Sequence, residues 1–286
     1  MGVFTKYKTM GNNGQILLIT LLVLTVATTV ALSLIGRATI DLSMSNQLEE
    51  STRAFNAAEA GIEQALRTGA GTTLPVTLSP GVTYDVSVNV IGGVAGVFQM
   101  ARKTLENTTE TLWLVEHTDT GAVNETPFYT ANTIELCWSQ ETAPDVAAAL
   151  GVTVLYKDTF GDYHTARMAL DPDAATRGNN FTATGITTTG CGLGYYGKTI
   201  NFTTDFAPAV NPALDTLIAL RIKPYYTDAT LAINGGINEI PKQGNQIESV
   251  GATGTGVSRK VVVYQQYRAP LSIFDSVIYS ESAFGH

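Results

Sequence analysis

Read for hydrophobic and polar positions, the chain opens on a break in pattern. Residues 16–35 run for twenty positions without a charge, a glycine or a proline, between Lys8 on one side and Arg37 on the other. Ile16, Leu17, Leu18, Ile19, Leu21, Leu22, Val23, Leu24, Val26, Val30, Leu32, Leu34 and Ile35 make up most of the run. As an α-helix it spans about 30 Å, the thickness of a bilayer's hydrocarbon. The pattern then becomes amphipathic. Ile40, Met44, Leu48, Phe55, Ile62 and Leu66 recur at helical spacing, with small Ser51 and Ala58 in the gaps. Asp41, Glu49, Arg53, Glu59, Glu63 and Arg67 occupy the other side, and Gly69 stands where a C-cap glycine belongs. The spacing predicts a helix over 15–69, loosened at Gly36, with the Ile40–Leu66 stripe packing against the rest of the chain.

From Thr72 onward the period switches to two. Val82, Tyr84, Val86, Val88 and Val90 alternate with Thr83, Asp85, Ser87 and Asn89, the signature of a half-buried strand. Further strands are predicted at 111–116, 133–139, 152–157, 163–170, 199–203, 216–223, 257–267 and 272–280, separated by turn-rich segments at 171–173, 190–197, 235–236 and 251–256. Only 144–150, with three consecutive alanines, reads as a short helix. The class is therefore α+β: one long N-terminal helix followed by an antiparallel, sandwich-like β region. The polar stretch 118–131 reads as a linker between a small β region at 70–117 and a β-sandwich domain at 132–286.

Composition sharpens this picture. Of 286 residues 40 are Thr, 27 Gly and 10 Pro, which favours strands and turns over a helical bundle. Only 15% are charged and the net charge is −8, which excludes a disordered chain and offers no basic face for nucleic acid. Lys6 and Lys8 precede the apolar run and acids follow it, so the N-terminus is expected in the cytoplasm and the β region outside. The Thr and Ser hydroxyls within the run are compatible with lipid, because each can bond to a carbonyl one turn back. A cleaved secretory signal is the competing reading, but its apolar core should be shorter and end in a small-residue cleavage site.

Candidate chemistry is sparse. Cys137 and Cys191 are the only cysteines; outside the cytoplasm they read as a disulfide, with two buried thiols as the alternative. No G-x-S-x-G elbow accompanies His117, His164 or His286, and no cofactor motif is present. Asp158, Asp162, Asp171 and Asp173 are weak calcium candidates, weighed against the ordinary liking of turns for Asp. The pairs Tyr195-Tyr196 and Tyr225-Tyr226 are candidates for a glycan-contacting patch.

The segment Gly14-Gln15-Ile16-Leu17-Leu18, after a short basic leader, resembles the processing site of type IV pilins and type II secretion pseudopilins. Within the helix, Phe55-Asn56-Ala57-Ala58-Glu59-Ala60-Gly61 is similar to the F-x-A-A-E-A-G signature of PilX-like and K-type minor pilins. The resemblance implies a leader at 1–14 removed by prepilin peptidase between Gly14 and Gln15. It also implies a span held by membrane lipid and then by other pilin subunits, and service by the pilus assembly machinery. Gln15 and Ile19 stand where most major pilins carry Phe and Glu. In the family that Glu pairs with a neighbour's N-terminal amine, so Ile19 implies a minor, tip-located or priming subunit. The alternatives are a bitopic surface adhesin or binding protein that never polymerises, and a membrane-tethered hydrolase built around His117 or His164.

Overall fold

The computed structural model describes residues 13–118, 121–139 and 147–272. The chain divides into two compact units. The first comprises Met1–Ser87 and Glu248–Val262, the second Val88–Ile247 and Val263–His286.

The first unit holds the helix α1 (Asn13–Thr68) and the sheet that seats it. Gly69, at φ +72°, ends α1 in the left-handed conformation, its N–H donating to Ala65 O at 2.8 Å, as the C-cap reading expects. The chain then forms β1 (Val76–Ser79) and β2 (Val82–Ile91) as an antiparallel hairpin. Two late strands, β12 (Gly244–Thr253) and β13 (Ser258–Gln266), complete the order β1-β2-β12-β13. The unit boundaries fall within β2, β12 and β13.

The second unit is a sandwich. One sheet has the order β4-β10-β6-β7, from β4 (Glu110–Trp113), β6 (Ala149–Lys157), β7 (Tyr163–Leu170) and β10 (Thr216–Tyr225). The other is β3-β11-β5-β9-β8, from β3 (Val94–Gln99), β5 (Thr133–Trp138), β8 (Ile186–Gly190), β9 (Tyr195–Asn201) and β11 (Leu231–Ile240). Every pairing within these two sheets is antiparallel. Their inner faces share one core: Leu112, Leu150, Val154 and Leu220 from the first sheet meet Leu136, Trp138, Ile200 and Leu231 from the second. Trp138 is wholly buried because its one polar atom is satisfied, Nε1 donating to Ala148 O at 2.9 Å. At the outer edge of β4, buried Gln243 does the work of a missing strand. Its side-chain amide accepts from Trp113 N–H at 2.8 Å and donates to Trp113 O at 2.9 Å.

Three expectations change. The stretch 118–131 is not a linker: Tyr129 lies in the sandwich core, where burial pushes its phenol up to about 12, and its hydroxyl donates to Thr133 O at 2.8 Å. With β4 paired to β10, the predicted division between 70–117 and 132–286 gives way to one that cuts through strands. The alanine run at 147–150 enters β6 instead of a helix, Ala149 and Leu150 pairing with Tyr225 and Pro224; the rest of 144–150 lies outside the described residues. The strand predicted at 272–280 lies outside them too, apart from its first residue. Five strands escape the alternation: β1, β3, β8, β11 and β12. A one-turn helix, α2 (Ala174–Arg177), follows the 171–173 turn.

The cysteines are joined as a Cys137–Cys191 disulfide, which ties β5 to the β8–β9 turn. It packs against Ala232 and Tyr195, and Glu135 beside it accepts from Cys191 N–H at 3.1 Å and from Asn234 Nδ2 at 2.9 Å. Glu135, Cys137 and Cys191 bring three potential ligand atoms together, but both sulfurs are spent on the bond.

Candidate membrane and filament helix

α1 runs for 56 residues without interruption, about 84 Å at 1.5 Å per residue. Gly14 and Gln15 lie in its first turn. The apolar residues from Ile16 to Ile35 are all exposed, and the mean hydropathy of the richest 18-residue window is 2.5. By length and composition this is a helix able to cross a membrane. Its hydroxyls turn inward on the backbone. Thr20 donates to Ile16 O at 3.0 Å, Thr25 to Leu22 O at 2.9 Å, Thr28 to Leu24 O at 2.9 Å and Thr29 to Thr25 O at 3.1 Å.

The second half of α1 is seated by a face that overlaps the predicted stripe at Ala58 and Ile62 only. Of the stripe Ile40, Met44, Leu48, Phe55, Ile62 and Leu66, only Ile62 is buried, at 8% exposure, while Leu48 is 68% exposed. The buried positions are Ala54, Ala57, Ala58, Gly61, Ile62 and Ala65, a helical face made almost wholly of small residues. Small residues let backbones approach closely, and here they do. A Cβ on Gly251 of β12 would lie 2.0 Å from Ala54 O and 2.6 Å from Ala58 N. One on Gly61 would lie 2.3 Å from Ser249 Oγ and 2.7 Å from Val86 Cγ2. At Gly251 the β12 main chain thus lies directly on the helix main chain, and at Gly61 the helix makes room for side chains of the sheet.

Polar contacts frame this seat. Tyr84 OH donates to Gln64 Oε1, Thr255 donates to Glu50 Oε2 at 2.9 Å, and Arg259 Nε donates to Ser51 Oγ at 2.8 Å. Beyond the helix end, Thr72 and Val86 exchange backbone and hydroxyl bonds at 2.8 Å, locking the exit of α1 to β2. Counting large apolar side chains misses this face. The signal that finds it is the alanine and glycine spacing inside Phe55–Gly61, the stretch that also carries the family resemblance.

The remaining candidates are placed apart from the helix. Asp158 caps the β6–β7 turn, accepting from Phe160 N at 2.8 Å and Asp162 N at 2.9 Å, with His164 Nε2 3.0 Å from its other oxygen. Asp171, fully buried, accepts from Arg177 Nη1 at 2.7 Å and Asn179 Nδ2 at 2.6 Å, and the same guanidinium lies 3.7 Å from Asp173. A carboxylate already neutralised by arginine is a poor calcium ligand.

His117 stacks on Tyr267 at 3.9 Å and meets Trp113 edge-on at 4.6 Å, and neither ring nitrogen has a hydrogen-bond partner among the described residues. The hydrogen-bond partner of His164 is the Asp158 carboxylate. Burial lowers the His117 pKa from the ordinary 6.5, since a charged imidazole is poorly solvated between two aromatic rings. The unfolded chain therefore takes up this proton at a higher pH than the folded chain. The contribution is full above about pH 6.5 and is lost as pH falls through that value toward the lower folded pKa. His117→Phe is expected to flatten this limb of the melting temperature against pH, and an unchanged limb would assign it to other groups.

Compared with known proteins, residues 13–63 match the family model described as PilX N-terminal. No curated protein and no solved structure matches the chain. The matched segment contains the exposed apolar run and most of the small-residue seat, so the N-terminal helix is similar to that of PilX-like type IV pilins.

Proposed function

We propose that this chain, whose residues 13–63 match the PilX N-terminal family, is a non-enzymatic minor subunit of a type IV pilus-like filament, cut between Gly14 and Gln15. Its β units would be displayed outside the cell. The observation that carries this reading is the pairing of two unlike halves in one rod. Residues 16–35 expose every large apolar side chain, while 54–65 fix the rod to its own sheet. Thirteen large apolar side chains at about 1.5–3 kcal/mol each hold the first half out of water. It can leave lipid only for a bundle of similar helices.

Ile19 supports a minor, tip or priming position. It offers no carboxylate to a neighbour's terminal amine, so a repeating stack would leave that ammonium buried and unpaired. Prepilin peptidase, the assembly machinery and other pilin subunits are the partners this reading requires, with the inner membrane as the site of storage before assembly.

The test is the mass of the mature chain and its location. Protein recovered from cells should begin at Gln15 and co-purify with sheared filaments in small amounts relative to a major subunit. Gly14→Leu should leave the 14-residue leader attached, seen as a heavier chain retained in the membrane fraction. An intact leader on wild-type protein, with none in the sheared fraction, would leave a bitopic surface protein in its place.

A further inference from the structure

The outer face of the β4-β10-β6-β7 sheet carries a recess of about 370 Å³, within the roughly 300–1,000 Å³ range of small-molecule sites. Its floor is a two-row lattice set by strand register. Arg221, Thr153 and Arg167 stand opposite one another across β10, β6 and β7, and Lys223, Gly151 and Ala169 form the next row. Adjacent strands lie about 4.8 Å apart, which puts the backbones of the two arginines about 10 Å from each other. Gly151 leaves a gap in the floor, and the Tyr225 ring fills it: a Cβ on Gly151 would lie 2.9 Å from Tyr225 Cε2. Phe181 meets Tyr225 at 6.2 Å and 66°, making an aromatic corner, and Lys223 Nζ lies 5.4 Å from the Tyr225 centroid.

The charge of this recess runs against that of the chain. Among the described residues, three of the 17 Lys and Arg of the chain line it and no Asp or Glu does, in a protein of net charge −8. Arg221 is buried beneath it and donates to Pro270 O at 2.9 Å and Leu271 O at 3.3 Å. Arg167 is exposed and has no carboxylate partner among the described residues, which leaves its planar fork facing solvent.

We propose that this recess binds an acidic sugar, with the ring against Tyr225 and Phe181 and its carboxylate or sulfate taken by Arg167 and Lys223. The flat aromatic surface suits a sugar ring, and the guanidinium fork with a lysine suits a compact anion. The volume admits a short saccharide and not a long polyanion, which the negative charge of the rest of the protein would repel. The site lies in the second unit and does not depend on the filament reading.

The experiment is calorimetric titration of the full-length, detergent-solubilised chain with three probes: trigalacturonate, a sulfated chondroitin disaccharide and neutral galactotriose. At least one acidic probe should bind about tenfold more tightly than the neutral one, and binding should weaken between about 50 and 500 mM salt. The uronate responding alone supports the site with a carboxylate ligand, the sulfated probe alone supports it with a sulfate ester. Arg167→Gln with Lys223→Gln should lower affinity by more than about tenfold while moving the melting temperature little, since Arg167 is exposed and Lys223 only half-buried. Gly151→Ala should weaken binding while leaving every cation in place, by pushing the Tyr225 ring aside. The proposal is overturned if no probe binds, if galactotriose binds as well as the acids, if sulfate or acetate ion alone binds as tightly as the sugars, or if the double variant binds undiminished.

Discussion

Gly251→Val is expected to unseat α1 and to cost the first unit more than about 3 kcal/mol, above the usual range for a single overpacked side chain. The obstacle is main chain. Ala54 O and Ala58 N stand 2.0 Å and 2.6 Å from where the new Cβ would lie, and neither can rotate away as a side-chain tip can. The helix has to lift, and the contacts of Ala54, Ala57, Ala58 and Ala65, all buried to within 1% of completely, go with it. Hydrogen exchange reads this directly, as lost protection of amides 54–65, alongside a lowered thermal midpoint. Gly36→Ala is the control: nothing lies within 4 Å of a Cβ there, so it should stabilise the helix by about 0.5–1 kcal/mol. Unchanged protection in the valine variant would mean that the close approach is not what holds the helix.

Opening the Cys137–Cys191 disulfide, by reductant or as the double Ala variant, is expected to destabilise the sandwich by about 4 kcal/mol on the chain-entropy estimate. The linked residues are 54 apart in sequence, so the crosslink removes a large loop's worth of freedom from the unfolded chain. For a unit of this size the melting temperature should fall by about 8–16 °C. The loss should be confined to the second unit, because Cys137, Cys191 and the Ala232 and Tyr195 side chains around them all lie within it. A shift under about 3 °C would mean that the reduced chain keeps the same restriction by other means.

Much of this architecture is legible in the sequence, and the misses share a cause. The rod announces itself through an absence, twenty positions with nothing charged, and through Gly69 as its terminator. Strands with clean alternation, such as β2 and β6, are visible because one face meets the core. β11 and β12 are hidden by their glycines, which resemble turns. In β11, Gly235 and Gly236 sit inside a register shift between Asn234 and Glu239, with Gly236 at φ +64°, so they bend a strand instead of ending it. In β12, Gly251 is a strand residue stripped of its side chain so that a helix can lie on it, and only Thr253–Gly256 turns the chain. The packing face of α1 is missed for the complementary reason. A search that weighs Leu, Ile, Met and Phe follows the exposed stripe, while the buried contact is built from residues chosen for how little they occupy.

The threonines of the apolar run bear on how such a chain is read by composition alone. Each hydroxyl of Thr20, Thr25, Thr28 and Thr29 is folded back onto its own helix, so what the surroundings meet is chiefly a methyl group and a branched carbon. To a lipid tail or a neighbouring rod these four behave as valines. Counting them as hydrophilic understates the greasiness of the segment, and exchanging any of them for valine should leave its partition between oil and water almost unmoved.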